Sequence, residues 1–216
     1  MFATMLMISV YSIVIIYSFN LLPYKWLCDY NTDTSASPLQ KYVSLTFYFF
    51  PVFLYTSLII FFLFSTPHSF LDSFTNIIMI LLLSHICLSD ILYMIIPDQH
   101  VILILILGLL NLTTENISNK IFGLLAGALP FFILLIAGLI LKKRECIGFG
   151  DIKLMSVLGL LLGYVDILNL YMISCLLSGM SFIILTLLNT FMKKNNKLNY
   201  IPFAPFISFS YVFCIM

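Results

Sequence analysis

The stretch Gly148-Phe149-Gly150-Asp151-Ile152-Lys153-Leu154-Met155 places a carboxylate directly after a Gly-x-Gly, at the start of an apolar run. The rest of the chain carries little charge, since 9% of its residues are charged and 62% are hydrophobic. An ionisable side chain at membrane depth costs roughly 2.5 kcal/mol or more, so such residues are rare and usually functional. Asp151 is therefore the first candidate functional residue.

The composition indicates a polytopic membrane protein. The mean hydropathy is +1.13, and ordinary globular domains have a charged fraction of about 25%. A hydrocarbon core of about 30 Å needs about 20 helical residues. Eight apolar runs approach that length: 2–22, 43–65, 75–96, 99–113, 121–141, 152–168, 169–192 and 200–216. We predict an all-α, polytopic transmembrane helical bundle of about eight spans. Seven spans with one re-entrant segment is the alternative, because the fourth and eighth runs are short.

The basic residues predict the orientation of these spans, because short cytoplasmic loops carry the positive excess. With the N-terminus outside, nine of the ten basic residues fall in inner loops and only Lys120 falls outside. We therefore predict an N-out and C-out topology. The run 2–22 opens without basic residues and has no obvious cleavage site, so it is predicted to be a retained span and not a signal peptide.

A second carboxylate, Asp90, lies inside the run 75–96, shortly before Pro97. In the predicted topology Asp90 and Asp151 both lie at the cytoplasmic ends of their spans, so two helices carry an acid at one depth. Two close carboxylates do not both ionise easily and share one proton. One can then deprotonate a water while the other protonates a substrate carbonyl. This pair predicts aspartyl peptide hydrolysis without a metal or any other cofactor.

Structural roles compete with this interpretation. Asp151 is also a good helix N-cap, a role compatible with catalysis, and Asp90 could face the membrane interface near the end of its helix. Gly148 and Gly150 are expected to support Asp151, because glycine tolerates positive φ and lets a substrate backbone approach closely. Their alternative is a plain interhelical turn. Lys153 either acts on the charge of Asp151 or extends to the lipid headgroups, as membrane lysines commonly do.

Two further acids have structural interpretations. Pro97 disfavours helix at the residue before it, so Asp98 is predicted to be the N-cap of the fourth span. Asp166 is predicted to be a solvated acid in an outer loop, on the wrong face to join the pair.

The sequence offers no pattern for a metal site or for nucleic acid. His85 and His100 lack ligand spacing to each other or to a cysteine, and the five cysteines stand singly, so no metal site is predicted. No basic cluster exceeds 142–144, and nucleic acid is excluded as a predicted partner.

Three blocks of the sequence, in order and spacing, resemble the type IV prepilin peptidase family. The stretch 89–98 resembles the family's Asp-x6-Pro-Asp, 147–155 its Gly-x-Gly-Asp-x-Lys-Leu, and 201–206 its Ile-Pro-Phe-Gly-Pro-Phe. The resemblance covers about 85–216. Ala204 replaces the usual glycine of the last block, which is a change between small residues.

This resemblance implies an aspartic endopeptidase of the inner (plasma) membrane that removes the basic leader of prepilin or pseudopilin precursors at the cytoplasmic face. It also implies that Asp90 and Asp151 are the catalytic pair, with Gly148 and Gly150 as the family's Gly-x-Gly. We predict one transmembrane peptidase domain over 1–216, with variable N-terminal helices in 1–65 and a catalytic core in 75–216. Substrate-binding or supporting residues are predicted to be Gly148, Gly150, Lys153, Pro97 and Asp98.

Bifunctional relatives carry two Cys-x-x-Cys pairs in an N-terminal cytoplasmic domain and methylate the new N-terminus. The first inner loop of this chain, 23–42, is short and contains only Cys28, so zinc binding and N-methyltransferase activity are not expected. Two alternatives to prepilin cleavage remain. One is an archaeal preflagellin-type or other intramembrane Gly-x-Gly-Asp protease, and the other is a proton-coupled transporter with paired acids.

Overall fold

A computed structural model describes residues 2–23, 26–27, 52–53, 56–57, 70–114, 116–142, 147–191 and 201–214. Within these ranges the chain forms long helices and no β-strand: α1 (Phe2–Asn20), α2 (Phe70–Tyr93), α3 (Asp98–Leu110), α4 (Ile117–Lys142), α5 (Phe149–Leu162), α6 (Tyr164–Phe191) and α7 (Ala204–Cys214). The predicted all-α class is confirmed. The predicted inner loop 23–42 and second span 43–65 lie almost wholly outside the described residues.

Three of the described helices are long and apolar enough to cross a membrane: Thr75–Tyr93, Ile117–Leu141 and Tyr164–Phe191. Shorter apolar helices cover Met7–Asn20, Asp98–Leu110 and Ala204–Cys214. The chain is therefore a helical membrane protein, while the number of eight spans and the N-out, C-out orientation stay predictions.

The helices differ in how far they are enclosed. In α4 and α6 only 17% of the apolar window is buried, whereas 61% is buried in α2. The two outer helices therefore direct most of their apolar surface away from the bundle. Helix α5 is also well enclosed, with seven of its 14 residues buried: Ile152, Leu154, Met155, Val157, Leu158, Gly159 and Leu160.

The predicted boundary between the spans 152–168 and 169–192 is wrong, because the helix breaks at Gly163. Its φ of 99° is one that glycine adopts at little steric cost and other residues rarely adopt. The N–H of Tyr164 then donates to Asn119 Oδ1 at 3.1 Å, which caps the start of α6. Asp166 consequently lies in the first turn of α6. The sequence had predicted that it would lie in a loop.

Helices α4 and α5 pack backbone against backbone. Gly123 and Gly127 lie four residues apart on α4, a pattern that lets membrane helices approach closely. Gly159 of α5 and Gly163, which caps the end of α5, repeat that spacing. A Cβ added at Gly123, Gly127 or Gly159 would collide with the backbone of the facing helix. This contact fixes the position of α5, whose first turn carries Asp151.

Candidate active site

Asp90 lies in the last turn of α2 and is buried, with 7% of its surface exposed. Helix α2 ends after Tyr93, where Met94 adopts a left-handed φ of 57° and donates its N–H to the Asp90 carbonyl at 3.0 Å. The Ser89 hydroxyl donates to the Ile95 carbonyl at 2.7 Å. These two bonds turn the chain back over the end of α2 and hold the backbone around Asp90.

The Asp90 carboxylate accepts a hydrogen bond from the backbone of α7. The N–H of Ala204 donates to Asp90 Oδ2 at 2.9 Å. The first amides of a helix have no partner within the helix and bind anions readily. The start of α7 thus supplies the positive counterpart to a buried acid.

Sequence reasoning did not predict this role for Ala204. The stretch 201–206 served only as a mark of family resemblance, although Pro202 precedes the apolar helix α7 and Pro205 lies in its first turn. Proline near the start of an apolar run is a signal for a helix N-terminus. An anion site could have been inferred there.

Asp151 lies in the first turn of α5. The N-cap of this helix is Gly148, so the predicted N-cap role of Asp151 is wrong, because the helix starts at Phe149 and includes the acid. The N–H of Asp151 donates to the Gly148 carbonyl at 3.2 Å. An acid in the first turn is stabilised by the positive end of the helix dipole.

The structure brings the two predicted acids into one site. Ile96, in the turn that follows Asp90, packs on Gly150, the residue before Asp151. The two carboxylates are close enough to interact electrostatically, and so are Asp151 and Tyr171 of α6. The carboxylates come from the end of α2 and the start of α5, so they lie at the same end of the bundle.

The sequence predicted that the two glycines beside Asp151 would adopt positive φ. In the structure they act through their small size instead. Gly148 has a φ of −67°, and among the described glycines positive φ is found at Gly163. A Cβ at Gly148 would lie 3.3 Å from Asp151 Oδ2, and one at Gly150 would lie 3.1 Å from Ile96 Cβ. Gly148 therefore leaves space beside the carboxylate, and Gly150 lets the turn after Asp90 pack against α5.

Asp98 and Lys153 form a partly exposed ion pair. Pro97 is the N-cap of α3 and Asp98 its first residue, so the predicted N-cap role of Asp98 is wrong by one position. Lys153 Nζ lies 2.8 Å from Asp98 Oδ1 and 5.1 Å from the centre of the Phe149 ring. The lysine therefore joins the first turns of α3 and α5. The sequence had instead favoured its extension to the lipid headgroups.

Three aromatic side chains form a wall beside the Ala204 amide that binds Asp90: Tyr171, Phe131 and Phe203, the residue before Ala204. The centre of the Phe131 ring lies 5.0 Å from the centre of the Tyr171 ring and 5.4 Å from that of Phe203. The Tyr171 hydroxyl donates to the Gly127 carbonyl at 2.5 Å, three residues before Pro130 interrupts the backbone pairing of α4. A proline inside a helix removes one backbone donor, and the hydroxyl binds close to this break. The sequence did not predict the wall.

His85 and His100 contact each other, which their sequence spacing did not predict. His85 Nδ1 lies 3.3 Å from His100 Nε2, and His85 Nε2 lies 2.9 Å from the Ser18 hydroxyl. The Ser18 hydroxyl donates to the Val14 carbonyl at 2.6 Å, so it accepts from His85. The two imidazoles form a chain of hydrogen bonds between α1, α2 and α3.

Comparisons with known proteins identify the family of this chain. The model of the type IV leader peptidase family matches residues 77–187, which is more than half of the chain and includes both acids. The chain is also 31% identical over 127 residues to the prepilin leader peptidase/N-methyltransferase of Pectobacterium carotovorum subsp. carotovorum. That alignment covers 57% of this chain and 44% of the relative, so the chain matches less than half of the relative's length. No solved structure matches it. By its sequence the chain belongs to the type IV leader peptidase family.

Proposed function

We propose that this protein is a membrane aspartic endopeptidase that cleaves the basic leader of type IV prepilin or pseudopilin precursors. Asp90 and Asp151 are the proposed catalytic pair. The observation that carries the proposal is the contact between Ile96, in the turn after Asp90, and Gly150, the residue before Asp151, in a chain of the leader peptidase family. Family membership favours a peptidase over the transporter that the sequence left open.

The two acids have different hydrogen-bond partners, which suggests a different catalytic role for each. Backbone N–H groups stabilise a carboxylate, because an ionised oxygen is the stronger acceptor. Asp90, which accepts the N–H of Ala204, is the proposed base that deprotonates the attacking water. Asp151 carries the shared proton and gives it to the carbonyl oxygen of the scissile peptide, as in other carboxylate pairs.

The supporting residues are proposed to hold the two acids in register. Gly150 packs on Ile96, and the Asp98–Lys153 ion pair joins the start of α3, set by Pro97, to the start of α5. Both contacts connect the turn after Asp90 with the turn that carries Asp151. Gly148 is exposed and leaves space beside Asp151 for an extended substrate strand.

The proposed location is the inner (plasma) membrane with the site at the cytoplasmic face. Its support is the distribution of basic residues, nine of ten of which fall on the side of Asp90 and Asp151 in the N-out topology. N-methylation is not part of the proposal, because the loop 23–42 contains one cysteine, Cys28.

The proposal is tested by cleavage of a peptide with a basic leader and a hydrophobic helix, using protein purified in detergent. We expect the wild type to cut and Asp90→Asn and Asp151→Asn each to lose several powers of ten in rate, because coupled catalytic groups are not additive. Asp72→Asn is the matched control, since it makes the same change on α2 roughly 27 Å from Asp90 along the helix axis. Substantial cutting by either single mutant of the pair would refute the assignment.

A second reading of the same assay separates prepilin cleavage from the preflagellin-type alternative. Matched peptides with prepilin-like and preflagellin-like leaders are compared at equal concentration. A preference for the prepilin-like leader supports the proposal, as does the similarity to a prepilin leader peptidase. A preference for the other leader would assign the chain to the alternative while keeping the acid pair.

A further inference from the structure

A polar cavity of about 330 Å³ lies at the end of the bundle opposite the acids. Its walls come from the first turns of α4 and α6, from α2 near Thr75, and from the last turns of α5 and α7. Asp90 and Asp151 occupy the other ends of α2 and α5. The cavity is therefore separate from the proposed active site.

Two opposite charges face this cavity without pairing directly. Lys120 and Asp166 both line it and interact electrostatically, but the ion pair that the described residues form is Lys153–Asp98. Lys120 Nζ donates to the Leu161 carbonyl and keeps further N–H donors. The Asp166 carboxylate has no hydrogen-bond donor among the described side chains and amides.

The neutral polar groups around these charges are already fixed by internal bonds. The Tyr211 hydroxyl donates to Asn76 Oδ1 at 3.4 Å, and both residues are buried, at 1% and 8% exposure. This bond leaves the amide N–H groups of Asn76 as donors. Asn116 Oδ1 accepts the Thr113 N–H at 2.8 Å, which orders the loop at the rim.

The depth of the cavity indicates where its ligand comes from. Thr75, Lys120 and Asp166 each lie at or near the first residues of the three helices long enough to cross the membrane. Helices that cross a hydrocarbon core of about 30 Å place their ends among the lipid headgroups. The cavity is therefore at headgroup depth.

The charges indicate the chemical class of the ligand. A neutral ligand would leave both Lys120 and Asp166 unpaired in a partly buried site, which is unfavourable. A simple anion would pair with the lysine but repel Asp166, whereas a ligand with both signs of charge pairs with each. The volume lies at the lower end of the roughly 300–1,000 Å³ typical of small-molecule sites.

We infer that this cavity binds an ammonium–phosphate zwitterion, the headgroup chemistry of phosphatidylethanolamine, with the phosphate at Lys120 and Asn76 and the ammonium at Asp166. The same chemistry is available from a membrane lipid or from free phosphoethanolamine. The inference does not depend on the proposed peptidase activity.

The test measures lipid retained on the purified full-length protein by native mass spectrometry. Phosphatidylethanolamine is compared with phosphatidylglycerol, whose headgroup lacks the ammonium, and with free phosphoethanolamine. We expect the wild type to prefer phosphatidylethanolamine and Asp166→Asn to lose this preference by roughly tenfold or more, the scale of one charge-assisted contact. Competition by free phosphoethanolamine at similar concentration would identify the soluble source, and no competition the lipid.

The variants are chosen so that misfolding cannot imitate the result. Lys120→Met is expected to weaken both lipids, but it also removes the bond to Leu161. Asp166→Asn keeps the shape of a side chain that makes no bond among the described residues, so it is the decisive variant. Asp98→Asn and Lys153→Met remove the same charges at the other end of the bundle and should leave lipid retention unchanged. Equal retention of both lipids by the wild type, or an undiminished preference in Asp166→Asn, would overturn the inference.

Discussion

Replacing Ala204 by proline tests whether the start of α7 holds Asp90 through a backbone amide. The Ala204 N–H donates to Asp90 Oδ2 at 2.9 Å in a buried position. Proline has no N–H but is tolerated at the first helical position, where its φ suits the helix. Ala204→Pro therefore removes the donor and puts a ring carbon where the amide hydrogen was, while α7 can still form.

The expected size of the effect follows from the type of bond. A hydrogen bond to a charged group contributes about 1.5–3 kcal/mol, and each 1.36 kcal/mol corresponds to a factor of ten in rate. If the bond orients Asp90 for the reaction, Ala204→Pro should lower kcat by roughly ten- to hundredfold. KM should change little, because the amide contacts the acid and not the substrate.

The assay is cleavage of the leader peptide, with kcat and KM measured separately for Ala204→Pro and Ala204→Gly. Glycine keeps the N–H and is the residue of the family's own block, so this variant should cut at close to the wild-type rate. Unfolding of each variant in detergent reports whether α7 still packs. A folded Ala204→Pro variant with unchanged kcat would show that the amide of Ala204 does not position Asp90.

The remaining predictions concern stability and are checked by unfolding in mixed detergent micelles. Gly159→Ala should destabilise the protein by about 1–3 kcal/mol, because its methyl group would meet the Gly123 carbonyl. Gly179→Ala meets nothing within 4 Å and should be neutral or stabilising by up to about 1 kcal/mol, so equal behaviour of the two variants would contradict the backbone contact. Tyr171→Phe should cost about 1–3 kcal/mol by removing the donor to the Gly127 carbonyl, and an unchanged stability would count against this bond. Asp98→Asn should change stability by less than about 1 kcal/mol, because the pair with Lys153 is partly exposed at 37% and 52%; a larger loss would indicate a buried pair.

The features that the sequence predicted correctly are those set by local composition. Long apolar runs become helices in a membrane because every backbone group must bond within its own segment, and most predicted runs are helices in the structure. We expected Asp90 and Asp151 to lie close together because Asp90 is near the end of one run and Asp151 at the start of another, which puts both on one side of the membrane in the predicted topology. That expectation needed no knowledge of how the helices pack.

The features that the sequence did not predict depend on backbone geometry or on contacts between distant segments. Hydropathy stays high across Gly163, so the lengths of the apolar runs did not reveal that the helix ends there. The break comes from the positive φ of this one residue. The Asp98–Lys153 pair joins residues 55 positions apart. The donor at Ala204 is a main-chain group, and no side-chain pattern identifies a particular amide as the partner of Asp90.

The charges at the two ends of α5 follow one physical rule. Seven of the 14 residues of this helix are buried, so neither end can rely fully on water for its unpaired backbone groups. Asp151 lies in its first turn, where the helix dipole is positive, and Lys120 donates to the Leu161 carbonyl in its last turn, where the dipole is negative. Lys120 thus pairs with a carbonyl that the helix leaves unpaired, and the positive end of the helix stabilises the negative charge that Asp151 carries once it has given up its proton. The same helix therefore supports the proposed catalytic acid at one end and the proposed headgroup site at the other, so a variant that shifts α5 against α4, such as Gly159→Ala, should weaken both cleavage and lipid retention.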